Sequence, residues 1–195
     1  MAQSAAEQGA HDAGVYEVSA LSARLAYAMM CLTVCWGALT SMGWVGRVTG
    51  RQALRSGHIF LSATTLAFIA AHSLSYLMLQ ADPYTMTRLL IPFYAGGPLY
   101  TGLGILAFEC LLVVVIATGM RRFMSNQRWL FVHRLAYVAF VLGILHALLT
   151  AMANGHVAIL WLGGITLLIP TLAVIAVRVM PAKALATTGL IEDAP

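Results

Sequence analysis

Long apolar runs separated by short polar stretches are the main pattern along the chain. A helix needs about 20 apolar residues to cross the roughly 30 Å of hydrocarbon in a bilayer. By this measure the pattern predicts about five membrane-spanning helices, at Leu25–Trp44, His58–Leu79, Leu103–Met120, Trp129–Met152 and Val157–Met180. The sequence therefore predicts an all-α integral membrane helical bundle.

The segments outside these runs set the domain boundaries. Residues 1–20 are polar and rich in Ala, Ser and Gly, so we expect a flexible polar tail. Residues 81–102 contain three prolines and a Gly-Gly pair, which interrupt helices, so we expect an interfacial or partly re-entrant loop there. The membrane domain is then expected to cover residues 21–180, and residues 181–195 to form a short cytoplasmic tail.

Composition narrows the possible functions. Of the 195 residues, 61% are hydrophobic and 9% are charged, and a soluble domain of this size cannot bury so much apolar surface. This excludes a soluble enzyme, a nucleic-acid-binding protein and a secreted disulfide scaffold, and it makes membrane lipid the expected surrounding. No glycine-rich GxGxxG turn leads into a helix outside the spans, so we expect no nicotinamide or flavin domain in this chain.

Basic residues predict the orientation in a cell membrane, because short cytoplasmic loops retain Lys and Arg. They concentrate in the first loop, in the third loop and at the carboxyl end, at Arg47, Arg51, Arg55, Arg121, Arg122, Arg128, Arg178 and Lys183. The opposite side has only Arg24 and Arg88. With five spans, this distribution places the N-terminus outside and the C-terminus in the cytoplasm.

Four of the six histidines lie inside predicted spans, where a polar ring is costly unless it has a partner. His58 and His72 are 14 residues apart in the second span, which is nearly four helical turns or about 21 Å. His133 and His146 are 13 residues apart in the fourth span, or about 20 Å. The second and fourth spans run in the same direction. His58 is therefore expected to face His133 near the cytoplasm, and His72 to face His146 in the outer half.

We call these the inner pair and the outer pair. A haem iron takes two axial ligands, so the spacing predicts two stacked bis-histidine haems and a role in electron transfer. Because the chain has no CxxCH motif, attachment would be non-covalent. Thirteen residues leave His133 and His146 about 140° apart around an ideal helix. Either that helix tightens locally, which Gly143 between the two would permit, or the two haems sit on different sides of its axis. The alternative is four structural histidines bonded to neighbouring helices.

The segment WLFVHRLAYVAFVLGILH, at Trp129–His146, and the stretch Gly102–Arg122 that precedes it resemble the ferric reductase-like transmembrane domain family. This family includes the membrane parts of NADPH oxidases and ferric reductases and the haem subunit serving a periplasmic methionine sulfoxide reductase. The resemblance covers about Leu25–Arg178. It implies two b-type haems ligated by His58, His72, His133 and His146. The additional N-terminal span of six-helix members is not found here.

Two further residues are candidates for chemistry. Arg134 follows a proposed ligand near the cytoplasmic end of its helix, where its guanidinium either pairs with a haem propionate or extends to the lipid headgroups. Glu109 is the only acidic residue within a predicted span. It is expected either to accept a hydrogen bond from a ligating histidine, to take up protons beside a quinone site, or to be protonated and bonded to a neighbouring helix.

The sequence as a whole predicts the membrane haem subunit of an oxidoreductase. A cytoplasmic donor protein or a quinol would supply electrons, and the acceptor on the outer side would be ferric iron, oxygen, quinone or a partner redox protein. One alternative is a cytochrome b subunit of a quinol or quinone respiratory oxidoreductase. A second is a haem-free membrane transporter or assembly protein. No catalytic residue is predicted.

Overall fold

A computed structural model describes residues 5–42, 45 and 49–180, and all regular structure in those residues is helical. In chain order the helices are α1 (Ala5–Thr40), α2 (Arg51–Ser75), α3 (Met86–Leu90), α4 (Leu99–Gly119), α5 (Asn126–His133), α6 (Leu135–Ala153), α7 (Val157–Gly163) and α8 (Ile169–Val179). The prediction of an all-α membrane protein is confirmed. Arg47, Lys183 and the expected tail at 181–195 lie outside the described residues.

Four stretches of the described residues are long and apolar enough to cross a membrane. They are Glu7–Thr40, Arg51–Met78, Leu99–Gly119 and the combined α5 and α6. The fifth predicted span is divided into α7, a π-helical segment at Gly164–Leu168, and α8. Pro170 explains this division, because proline lacks a backbone N–H and its ring would clash with the carbonyl four residues earlier in a regular helix.

The expectation of a loose tail at residues 1–20 is wrong for residues 5–20, which form the first part of α1. The alanines of this segment favour a helix, and its polar groups have distant partners. The Asp12 carboxylate accepts hydrogen bonds from the backbone N–H groups of Gln80, at 2.8 Å, and Ala81, at 3.0 Å. Thirty-six helical residues extend for about 54 Å. The helix is therefore longer than the hydrocarbon layer requires.

The long helices form two hairpins. Helix α1 packs along α2, α4 packs along α6, and α8 returns to pack against α1. Within the first hairpin, the Trp36 indole N–H donates to the Leu54 carbonyl at 2.8 Å, and Thr33 and Thr65 share a hydrogen bond of 2.8 Å. Between the hairpins, α2 and α6 make few close backbone approaches. The helices that carry the four histidines are thus held apart.

The segment between α2 and α4 does not span, as predicted for residues 81–102. It contains the short helix α3 and a turn in which Phe93 and Ala95 have positive φ angles of 59° and 52°. The Phe93 ring occupies the space where a side chain on Gly102 would begin, so glycine is required at that close approach. This contact fixes the loop against the start of α4.

Candidate cofactor site

The inner pair is formed by the end of α5 and the first part of α2. The ring centres of His58 and His133 are 6.2 Å apart, and their planes are inclined by 74°. Both residues are partly exposed, but the Nδ1 atoms of both are buried without a hydrogen bond. The Trp129 indole stacks on His133 with ring centres 4.9 Å apart, and the Arg121 guanidinium lies 4.4 Å from that indole ring.

The outer pair has nearly the same separation. The ring centres of His72 and His146 are 6.3 Å apart, and their planes are inclined by 60°. Since His58 meets His133 and His72 meets His146, α2 and the combined α5 and α6 run in the same direction. The structure therefore brings together the histidines that the sequence pairs.

The fourth span is locally distorted, which is one of the two expected solutions, but the distortion does not lie at Gly143. The helix is interrupted at Arg134, between α5 and α6. The Tyr137 N–H donates to the Arg134 carbonyl three residues earlier, at 3.0 Å. A turn of this kind advances about 120° per residue instead of 100°, so it recovers part of the 140° shortfall. Gly143 lies within α6, facing the Met30 side chain.

Backbone carbonyls orient both rings of the outer pair. The Nδ1 atom of His146 is 2.6 Å from the Tyr100 carbonyl oxygen, and the Nδ1 atom of His72 is 3.0 Å from the Ser19 carbonyl oxygen. A carbonyl oxygen only accepts, so each Nδ1 carries the proton and each Nε2 retains a free lone pair. This is the tautomer that binds a metal through Nε2.

Two glycines provide room for the histidine rings. A Cβ atom on Gly104, in α4, would lie 2.8 Å from the Nδ1 atom of His146. A Cβ atom on Gly37, in α1, would lie 2.9 Å from the Cε1 atom of His58. The His146 ring is thus packed directly against the backbone of α4, and the His58 ring against the backbone of α1. Neither ring can move toward that helix.

Arg134 and Glu109 are not brought into contact with the histidine rings. The Arg134 side chain is exposed at the junction of α5 and α6. Glu109 is half-buried on α4, five residues beyond Gly104 and so about 140° away from it around the helix. One role expected for Glu109 was to accept a hydrogen bond from an outer histidine. The carbonyl oxygens of Ser19 and Tyr100 accept those bonds instead.

Both carbonyl partners and an aromatic contact of the outer pair were not predicted from the sequence. Tyr76 packs edge-on against His72 with ring centres 5.6 Å apart, and Tyr84 lies 5.1 Å from Tyr76. The recurrence of tyrosine four residues after His72 is a weak signal, since it places both on one helix face. A backbone carbonyl partner leaves no signal in the sequence at all.

Each histidine pair supplies only two ligands, which limits the metal groups that it could hold. The described residues include no group of three or more His, Cys, Asp or Glu side chains arranged to hold a metal ion. A structural zinc site needs four ligands, of which two imidazoles supply only half. A haem iron needs only two axial ligands from the protein. The pairs fit the second requirement.

Comparisons with known proteins agree with this description. The chain matches the family described as "Ferric reductase like transmembrane component" over residues 22–144, which include three of the four paired histidines. A curated relative, the protein-methionine-sulfoxide reductase heme-binding subunit MsrQ of Rhodospirillum rubrum, is 36% identical over 81 residues. These cover 42% of this chain and 36% of the relative, so the chain spans about a third of that protein's length. No solved structure matches the chain at a significant level. The family match extends over well more than half of the sequence, and the chain belongs to the ferric reductase-like transmembrane family.

Proposed function

We propose that this protein carries electrons across the membrane through two non-covalently bound b-type haems. The inner haem would be held by His58 and His133, and the outer haem by His72 and His146. Haem iron supplies reversible one-electron oxidation and reduction at each site. Membership in the ferric reductase-like family supports a role in membrane electron transfer.

The separation of the histidine rings is the observation that carries the proposal. Bonds between a transition metal and an imidazole nitrogen are about 2.0–2.1 Å long, and two such bonds in line place the ring centres roughly 6.3 Å apart. The two observed separations are 6.2 and 6.3 Å. Direct packing of two imidazole rings or a hydrogen bond between them would not require this value at both places.

The contacts around the rings favour a group held between the two histidines. Helices α2 and α6 approach closely through their histidine rings and little through their backbones. At the outer pair, Ser19 and Tyr100 hold the Nδ1 protons of the two rings, so the Nε2 lone pairs remain available. An iron held by two histidines would be closed to exogenous ligands such as oxygen.

The relative also suggests a partner. MsrQ is named as the heme-binding subunit of a protein-methionine-sulfoxide reductase. We propose that this chain delivers electrons to a separate redox protein on the outer side and receives them from a quinol or a donor protein on the cytoplasmic side. Arg134 is proposed to pair with a propionate of the inner haem, and Glu109 to serve in proton uptake near the outer side.

Haem counting with histidine variants tests this function. A pyridine haemochrome assay on the purified chain should give two haems, and a reduced-minus-oxidised spectrum should show the bands of low-spin haem b. His72→Ala should lose the outer haem and retain the inner one. His156→Ala is the matched control, because His156 is exposed in the loop before α7 and should be replaceable without loss. A wild-type chain with no haem would favour the transporter or assembly alternative.

A second measurement tests the electron donor and the electron acceptor. Rapid reduction of the haems by a quinol, without any donor protein, would favour the cytochrome b alternative or quinol as the donor. Rapid oxidation by a soluble redox protein from the outer compartment would support transfer to a partner. A preparation that holds one haem per chain after full loading would contradict the proposed pair of sites.

A further inference from the structure

Ser19 lies in the part of α1 that precedes the predicted first span, and its side chain contacts a proposed ligand. It is 1% exposed, which places it among the most completely buried side chains of the described residues. Its hydroxyl oxygen is 2.9 Å from the Nδ1 atom of His72, and its backbone carbonyl oxygen is 3.0 Å from the same atom. The two residues are 53 positions apart in the chain.

The direction of these hydrogen bonds follows from their chemistry. The carbonyl oxygen accepts the Nδ1 proton of His72, so the hydroxyl oxygen acts as a second acceptor of that proton. The hydroxyl proton points elsewhere, and the His72 carbonyl oxygen lies 3.4 Å away to accept it. The Ser19 hydroxyl therefore connects the ring and the backbone of one histidine.

The other three paired histidines have no such contact in the described part of the chain. His146 is held through Nδ1 by the Tyr100 backbone alone, and the Nδ1 atoms of His58 and His133 have no hydrogen bond. Ser19 is thus the side chain that distinguishes the environment of His72. Since it is a side chain, it can be changed without altering the backbone.

The segment that carries Ser19 is fixed at a second point. Asp12, two helical turns earlier, accepts hydrogen bonds from the backbone N–H groups of Gln80 and Ala81 beyond the end of α2. Together the two contacts hold the first part of α1 against the end of α2 that carries His72.

We propose that Ser19 is a positioning residue for the outer site: it holds the His72 ring with Nε2 directed toward His146, and it strengthens electron donation from His72 to the metal. This inference rests on the proposed function. A hydrogen-bond acceptor on the distal nitrogen of a metal-bound imidazole raises the basicity of that ligand, which stabilises the oxidised metal. Loss of such a partner typically lowers metal affinity by about 10- to 100-fold.

The test uses the full chain with Ser19→Ala, Ser19→Thr and a control, Ser75→Ala. Ser75 is also buried, and its hydroxyl donates at 2.8 Å to the His72 carbonyl without touching the ring. The readouts are haem content, the midpoint potential of each haem in a redox titration, and the electron paramagnetic resonance of the ferric haems. That resonance responds to the orientation and basicity of the axial imidazoles.

Ser19→Ala removes one of the two acceptors and keeps the Ser19 carbonyl. It should therefore weaken outer haem binding by up to about tenfold, raise the midpoint potential of the outer haem and leave the inner haem unchanged. Ser19→Thr retains a hydroxyl and should restore the wild-type potential, and Ser75→Ala should resemble the wild type. The inference is overturned if the outer haem is unchanged in Ser19→Ala. It is also overturned if Ser19→Thr or Ser75→Ala has the same effect as Ser19→Ala. If the wild type itself holds no outer haem, the proposed function fails together with this role.

Discussion

Replacing Gly104 with alanine should displace the His146 ring and weaken the outer site while leaving the inner site loaded. The added Cβ atom would lie 2.8 Å from the Nδ1 atom of His146 and 2.9 Å from its Cε1 atom. Ordinary van der Waals contact begins at 3.4 Å, so the ring or α4 must move by about 0.6 Å.

The expected loss of haem affinity follows from how firmly the His146 ring is held. The Nδ1 atom of His146 is 2.6 Å from the Tyr100 carbonyl oxygen, one turn earlier on the helix that carries Gly104. The ring therefore cannot retreat without lengthening that hydrogen bond or tilting away from His72. Overpacking of this kind costs about 1–3 kcal/mol, which corresponds to a loss of roughly 5- to 150-fold in haem affinity at the outer pair.

Two further glycine substitutions are matched controls for the assay, which is haem content per chain with the reduced-minus-oxidised spectrum. Gly37→Ala should weaken the inner haem instead, because its Cβ atom would lie 2.9 Å from the Cε1 atom of His58. Gly119→Ala, on the same helix as Gly104, meets nothing within 4 Å and should leave both haems in place. If Gly104→Ala retained both haems with unchanged potentials, or lost the inner haem first, the reasoning would be refuted.

Three other outcomes are expected. Purified protein mixed with NADPH alone should stay oxidised, because its described residues form helices and no βαβ unit for a dinucleotide; rapid haem reduction in a preparation free of other chains would contradict this. A reporter fused after residue 195 should be active in the cytoplasm, as the arginine distribution predicts, and activity only outside would reverse the topology. Asp12→Ala should speed amide hydrogen exchange at Gln80 and Ala81, whose N–H groups lose their carboxylate acceptor; unchanged exchange there would show that the carboxylate does not hold this end of α1.

The pairing of the histidines was predictable because helix geometry fixes axial position from residue number alone. A spacing of 14 residues in one span and 13 in a parallel span places two pairs of rings at matching depths. Ring centres at 6.2 and 6.3 Å agree with that expectation. The compensating distortion was also predictable, but its place was not, because Arg134 has no residue-type signal for a helix interruption and Gly143 has one.

The first part of α1 shows why composition was insufficient. Residues 5–20 have the polar character of a solvated tail, and a sequence does not show that a carboxylate at position 12 has amide partners 68 and 69 residues away. The partners of the outer histidines were hidden for a related reason. The Ser19 and Tyr100 groups that accept the Nδ1 protons are backbone carbonyls, which every residue type has.

The division of the membrane helices into two hairpins also bears on how the protein is made. Each hairpin packs neighbouring stretches of chain, α1 with α2 and α4 with α6, so the first hairpin is synthesised before α4. Helices that are stable individually can enter the bilayer first and associate afterwards. Under the proposed function, each histidine pair is complete only once both hairpins are inserted, and haem delivery becomes a late step of biogenesis that joins them.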